Sequence, residues 1–382
     1  MKKIECLKKE NLENNIEKNN KKINSDVSNG LAETNINNID DLIIENLDLT
    51  KKEDMNRYLD LKLKTFKENF ELIEYIDSGS TGIVYKGKST PGGKTQSYSF
   101  KFCIKTKKDK RRSNNKYHEI FYQKSLHHIN ICEILAFYKI DDSSYFSVSE
   151  LGKFGNVDNF LHKFMKRSYL TETFVNYLTK PLLEALNYMH RKKLLHMDIK
   201  KGNIVLDSDL NPKLIDFSSC FSFENYEPNK NIRFNKIGTG RYMPPEILNG
   251  TEIEIKYGDK IDVYCLGVTL FNLAFGSYPY GLNNVKGDDY NKIAETLKEA
   301  KLEFPNGFDV SENFKDFLKN MLELNIYNRY SIKDALNHPW VKGWEIISEE
   351  KENTILQENF IIRLISDNIP RFNDFIKKEI QI

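Results

Sequence analysis

The chain has 382 residues, with 57 Lys and Arg against 55 Asp and Glu and a formal net charge of +2. That balance excludes a bulk electrostatic reason for nucleic-acid or membrane binding, and the length holds one large two-lobed domain or two ordinary ones. No stretch approaches the roughly 20 apolar residues of a bilayer span, Met1-Lys2-Lys3-Ile4 opens no apolar signal core, and Lys2 is not the glycine that N-myristoylation requires.

The expectation is a soluble, unsecreted chain of the cytoplasm, with the nucleus as the alternative compartment. Five cysteines (Cys6, Cys103, Cys132, Cys220 and Cys265) show no CxxC pair and no zinc spacing, which fits a reducing environment.

In chain order, residues 1–54 are rich in Asn and Lys and poor in aromatics, so they are expected to be disordered. A patch from Asp40 to Leu49 sets Leu42, Ile43, Ile44, Leu47 and Leu49 among acids. It reads as a transient helix or a docking element. Met55, Leu59, Leu63, Phe66 and Phe70 recur at helical spacing, predicting a helical lead-in over 55–69. Strands are predicted at Phe70–Ile76 and Ile83–Lys86 around a glycine turn, then at Tyr98–Lys105 and Tyr145–Glu150. A helix is expected at Asn114–Leu126.

Beyond Gly155 the pattern turns helical. Thr171 to Arg191 is periodic, and Tyr264 to Phe275 is apolar enough for a buried helix. The fold class expected is α+β: a bilobal domain with a small β-rich N-lobe (70–151), a larger mainly α-helical C-lobe (152–340), and a cleft between them. A helical extension is expected at 341–382, where Ile355, Phe360, Ile361, Leu364, Ile365, Phe372, Phe375 and Ile376 suggest amphipathic helices. No internal repeat is present.

Chemistry concentrates in four stretches. Ile76-Asp77-Ser78-Gly79-Ser80-Thr81-Gly82 places two glycines in a strand-turn-strand setting that lets backbone pass close to phosphates; alone it fits an ordinary hairpin equally well. Phe102-Cys103-Ile104-Lys105 ends an apolar run on a lysine that needs an anionic partner, for which Glu119, fourteen residues later, is a candidate. Leu195-His196-Met197-Asp198-Ile199-Lys200-Lys201-Gly202-Asn203 supplies a carboxylate to orient a hydroxyl, a lysine to neutralise developing charge and an amide oxygen. Leu214-Ile215-Asp216-Phe217-Ser218 adds a second carboxylate, and Asn203 with Asp216 offers the oxygens that Mg²⁺ prefers.

These motifs, in this order, resemble the eukaryotic protein kinase family, serine/threonine branch, over roughly Phe70 to Trp340. The resemblance implies ATP bound by Ile76 to Gly82, Val84, Ser149, Glu150, Leu151 and Val205, with Lys105 on the phosphates and Glu119 holding it. It implies Asp198 as the catalytic aspartate, Lys200 as the lysine that contacts the γ-phosphate, and Asn203 and Asp216 as ligands of Mg²⁺, with Mn²⁺ as the alternative ion. Gly238-Thr239 and Met243-Pro244-Pro245-Glu246 resemble the end of the activation segment, and Arg329 falls where the family pairs an arginine with that glutamate. The activity implied is phosphorylation of protein Ser/Thr hydroxyls in intracellular signalling, by an assumed monomer with no nucleic-acid partner.

The chain departs from the family pattern at Asp77 and Thr81 in the glycine loop, Met197 in place of Arg, Ser218 in place of Gly, Gln123 in place of an apolar residue and Gly202 in place of Glu. Met197 leads us to expect activity that does not depend on activation-loop phosphate. A small Ser149 at the back of the adenine pocket predicts room for bulky inhibitors. Cys220 reads as an inert loop cysteine rather than a redox site. Two other readings share the fold: a pseudokinase scaffold and a small-molecule kinase. The first is opposed by retention of the whole catalytic set, the second by the Thr239 and Pro245-Glu246 platform.

Overall fold

The computed structural model describes residues 47–63, 65–79, 82–89, 96–104, 118–141, 144–164 and 168–343. Several expectations fall outside those residues: the tail with Leu42, Ile43 and Ile44, the turn residues Ser80 and Thr81, Lys105, the start of the Asn114 helix, and the amphipathic stretches after residue 343. The described chain divides into two units. One runs to Ser125 and resumes over Glu133–Leu151; the other comprises Leu126–Cys132 and the chain from Gly152 onward.

The first unit is built on one antiparallel sheet of β1 (Phe70–Gly79), β2 (Gly82–Ser89), β3 (Gln96–Cys103), β4 (Ile134–Lys139) and β5 (Tyr145–Ser149), in the order β1-β2-β3-β5-β4. Side chains alternate between faces along a strand, and β3 shows the consequence. Tyr98, Phe100 and Phe102 are buried in an aromatic core, while Ser97, Ser99 and Lys101 fall on the alternate positions. Two helices complete that core: α1 (Lys52–Lys62), through Met55, Tyr58 and Leu59, and α2 (Phe66–Asn69), through Phe66. The Phe66 ring lies 5.4 to 6.1 Å from those of Phe70, Phe100, Phe102 and Phe146.

Here the structure departs from the sequence reading of 1–54 as a disordered tail. Leu47 and Leu49 pack against the same core, and the Tyr85 hydroxyl donates to Leu49 O at 2.8 Å. Expected strand ends also shift, since the predicted Tyr98–Lys105 strand stops at Cys103 and β4 had no counterpart in the sequence reading. α3 (His118–Lys124) packs beside β4, and Cys103, Ile120, Ile134 and Tyr145 form a second, smaller cluster. Gly79 pairs with Gly82 across the β1–β2 hairpin. A Cβ added at Gly82 would sit 2.6 Å from Phe102 O, so strand packing alone demands glycine there.

The second unit is mainly helical: α4 (Val157–Phe164), α5 (Glu172–Arg191), α6 (Pro245–Asn249), α7 (Asp259–Phe275), α8 (Tyr290–Lys298), α9 (Glu312–Met321) and α10 (Ile332–Asn337). Short paired strands link them: β6 (Leu194–Leu195) with β9 (Phe221–Ser222), β7 (Ile204–Leu206) with β8 (Pro212–Leu214), and β10 (Asn231–Ile232) with β11 (Ile253–Glu254). α5 begins where expected, capped by the Thr171 hydroxyl accepting from Phe174 N. α7 is buried on every side from Ile261 to Phe275, the pattern of a helix at the centre of a core. The Glu172 carboxylate accepts from Ser311 N, Ser311 Oγ and Trp340 Nε1, tying the start of α5 to the cap of α9 and to the ring stack of Trp340 on Phe314.

Candidate active site

The second unit carries a densely bonded polar cluster. Asp198 Oδ1 accepts from Thr239 N at 2.9 Å, and Oδ2 accepts from Lys200 Nζ at 2.7 Å and Asn203 Nδ2 at 3.0 Å. Lys200 Nζ also donates to Thr239 Oγ1 at 2.7 Å, and Asn203 Nδ2 to the Asp198 carbonyl at 2.8 Å. Three residues thus orient one buried carboxylate, two of them close in sequence and Thr239 brought in from a distant segment. Gly238 makes this possible. Its φ of +110° suits glycine, and an added Cβ would lie 2.9 Å from Met197 O and 3.1 Å from Asp198 Oδ1.

A buried carboxylate on α7 holds the loop from behind. Asp262 accepts from His190 Nε2 at 2.8 Å, His196 N at 2.9 Å and Met197 N at 2.8 Å. Burial pushes its carboxyl up, but the His190 hydrogen bond, the fields of His190 and His196 and the His196 N–H outweigh burial and hold it below the usual carboxylate range. Met197 adopts φ +70° and Asp216 φ +60°, left-handed values that cost a non-glycine residue about 1–3 kcal/mol. The bonds from Asp262 to its own and the preceding N–H hold the first of these in place. Thr269 Oγ1, one turn further along α7 from Cys265, donates to Ile199 O at 3.1 Å and fixes the other side of the loop.

Asp216 follows the β8 strand, and Phe217 beside it is fully buried with its ring 5.2 Å from that of His196. Asn203 makes its side-chain bonds through Nδ2, leaving Oδ1 with no hydrogen bond among the described residues. That oxygen and the Asp216 carboxylate form a donor set that suits a hard divalent cation. Val205, in β7, bridges Asn156, and Cys220 is buried as an inert cysteine would be. The Arg329 guanidinium grips Glu246 with both nitrogens, at 2.7 and 3.1 Å, and both residues are buried.

In the first unit the partner of Glu119 is Lys101, whose Nζ is hydrogen-bonded to Glu119 Oε1. This corrects the expectation that Lys105 plays that part. Lys105 stands beyond the end of β3 and outside the described residues, whereas Lys101 lies inside the strand between two core phenylalanines, with 17% of its side chain exposed. Alternation was the missed signal: a lysine between Phe100 and Phe102 must face away from the aromatic core. Asp77 and Ser78 are exposed, and the Asp77 carboxylate accepts from Ser78 N at 2.8 Å. Ile76 and Val84 are half-buried in β1 and β2. Ser149, Glu150 and Leu151 follow one another at the end of β5, all half-buried, and Gln123 is buried in α3. Asp262, just ahead of the apolar run Tyr264 to Phe275, is a functional residue that the sequence reading did not single out. A carboxylate in an apolar helix is itself a sign of buried partners.

The protein kinase domain family profile matches residues 70–341. The chain belongs to that family. It is 30% identical over 284 residues to calcium-dependent protein kinase 4 of Plasmodium berghei, which covers 72% of this chain and 50% of that protein. It is 29% identical over 243 residues to the cell cycle serine/threonine-protein kinase CDC5/MSD2 of Saccharomyces cerevisiae, covering 64% of this chain and 32% of that protein. It is 27% identical over 288 residues to myosin light chain kinase A of Dictyostelium discoideum, covering 75% and 90%. The chain spans about half the length of the two Plasmodium relatives it matches. No helix among the described residues is long and apolar enough to cross a membrane.

Proposed function

We propose that this protein kinase domain transfers the γ-phosphate of ATP, as its Mg²⁺ complex, to Ser and Thr hydroxyls of proteins. The observation that carries the reading is the Asp198 carboxylate, held by Lys200, Asn203 and Thr239 in one orientation. Phosphoryl transfer asks a protein chiefly for positioning and charge stabilisation. Asp198 orients the acceptor hydroxyl and takes its proton. Lys200 lies against both Asp198 and Thr239, where its ammonium offsets charge developing on the transferred group. Lys101, steadied by Glu119, binds the phosphates of the nucleotide. Asn203 Oδ1 and Asp216 would hold Mg²⁺, which neutralises the phosphate charge, with Mn²⁺ as a substitute.

The reading extends to control and place. Met197 is buried and uncharged, so it supplies no cation for an activation-loop phosphate, and activity is proposed not to require one. A cytoplasmic site of action is proposed from the sequence alone. The deciding experiment incubates the purified chain with labelled ATP, Mg²⁺ and generic protein substrates, beside Asp198→Asn and Lys101→Met. Phosphoserine or phosphothreonine made by the wild type alone is the expected result. No transfer by a folded wild type that still binds nucleotide would overturn it in favour of a non-catalytic scaffold. Phosphatase treatment that abolishes turnover would overturn the independence from activation-loop phosphate.

A further inference from the structure

Between Pro228 and Pro245 the chain carries Lys230, Arg233, Lys236 and Arg241 and not one acid. Among the lysines of this unit that are neutralised are Lys200 by Asp198, Lys201 by Asp158 and Lys256 by Glu254. Lys230, Arg233, Lys236 and Arg241 have no carboxylate partner among the described residues. Arg241 is the most telling. Its guanidinium donates to Val285 O and lies 5.1 Å over the Tyr278 ring, yet its Nε is buried with no hydrogen-bond partner. A half-buried cation without a counter-ion favours an incoming anion.

The row is held in place. β10 pairs with β11, Ile255 N donates to Lys230 O at 2.9 Å, and buried Phe234 packs on Phe221 with ring centroids 4.9 Å apart. With Phe234 turned inward, Arg233, Lys236 and Ile237 are exposed. The segment then runs into Gly238 and Thr239, whose N–H binds the catalytic carboxylate. Lys236 is three residues from Thr239, within about 10 Å of extended chain. A hydroxyl delivered to Asp198 therefore brings its flanking residues alongside this cationic row. The acids near the segment are Glu224 and Glu227 at its start, Glu254 opposite Asn231 in the β10–β11 pair, where Lys256 holds it, and Asp288 beyond Val285; none lies in the row itself.

We infer that Lys230, Arg233, Lys236 and Arg241 select substrates with Asp or Glu flanking the acceptor, so that this kinase is acid-directed. The inference rests on the kinase reading above. Its test compares peptides with one acceptor serine flanked by acidic, neutral or basic residues, assayed on the full chain and on an Arg233→Glu/Lys236→Glu double variant. The wild type should use the acidic peptide with kcat/KM about tenfold above the neutral one, mainly through KM, and lose the preference as salt screens the charges. The double variant should reverse the order and favour the basic peptide. Equal use of the three peptides by the wild type, or an unchanged order in the variant, overturns the inference while leaving the kinase reading intact. Equal loss on all peptides, with phosphate found on Ser219, Ser222 or Tyr226 of the wild type, also overturns it, since the cations would then serve the segment's own phosphate. Transfer to no peptide at all counts against the kinase reading instead.

Discussion

The two units hold their candidate site residues differently. In the second unit Asp198 is held by bonds from three residues, and the loop that carries it is held in turn by Asp262 and Thr269 on α7. In the first unit Lys101 pairs with Glu119, joining a strand to the seven-residue helix α3. A network with several shared acceptors has one arrangement that satisfies it. Asp198 is thus oriented by a shared network within its own unit, whereas Lys101 is placed by its strand and by its pair with Glu119.

The largest effect should come from breaking the network around Asp198. Asp198→Asn is expected to cut phosphate transfer by about a thousandfold, the scale of a lost general base, with little change in Tm. A thermal melt showing collapse of the fold would mean the residue matters through stability. Next, Leu59→Ala tests whether the sheet that carries Lys101 depends on α1. Leu59 is fully buried against the aromatic core, and its truncation should cost about 2–5 kcal/mol in chemical denaturation. A loss under about 1 kcal/mol would show that α1 is peripheral, since a Leu→Ala truncation in a packed core costs about 2 kcal/mol or more.

Lys101→Met should lower transfer about a hundredfold, the cost of removing one charge-stabilising donor. Lys105→Met should stay near wild type, and the reverse order would restore the assignment drawn from sequence. The smallest effect is graded with pH. Because Asp262 is held below the ordinary carboxylate range, the unfolded chain takes up its proton first as pH falls. Its contribution to stability is therefore whole above about pH 4 and lost as pH drops through the lower, folded value. Asp262→Asn should flatten that acid limb of the stability profile and loosen the catalytic loop; an acid limb identical to wild type would assign the loop's order to other contacts.

Much of this was legible in residues alone. Asp198, Asn203, Asp216 and the Glu246–Arg329 pair could be read because short motifs keep their spacing wherever the chain folds. The α5 and α7 helices could be read because a 3.6-residue apolar period, or an unbroken apolar run, has few other solutions. Lys105 was misread because two lysines stand four apart near a strand end, and the choice turns on where pairing stops. Strand ends are set by partners distant in sequence, here β2 and β5.

By itself the sequence determined the family, the order of the chemical groups and the absence of an acid between Pro228 and Pro245. Tertiary structure decided which lysine meets Glu119, that Asp262 secures the loop carrying Asp198, that Leu47 and Leu49 join the core, and that four cations have no carboxylate partner among the described residues. Spacing records what neighbours along the chain must do, but charge pairing and burial depend on surfaces that exist only once distant segments have packed.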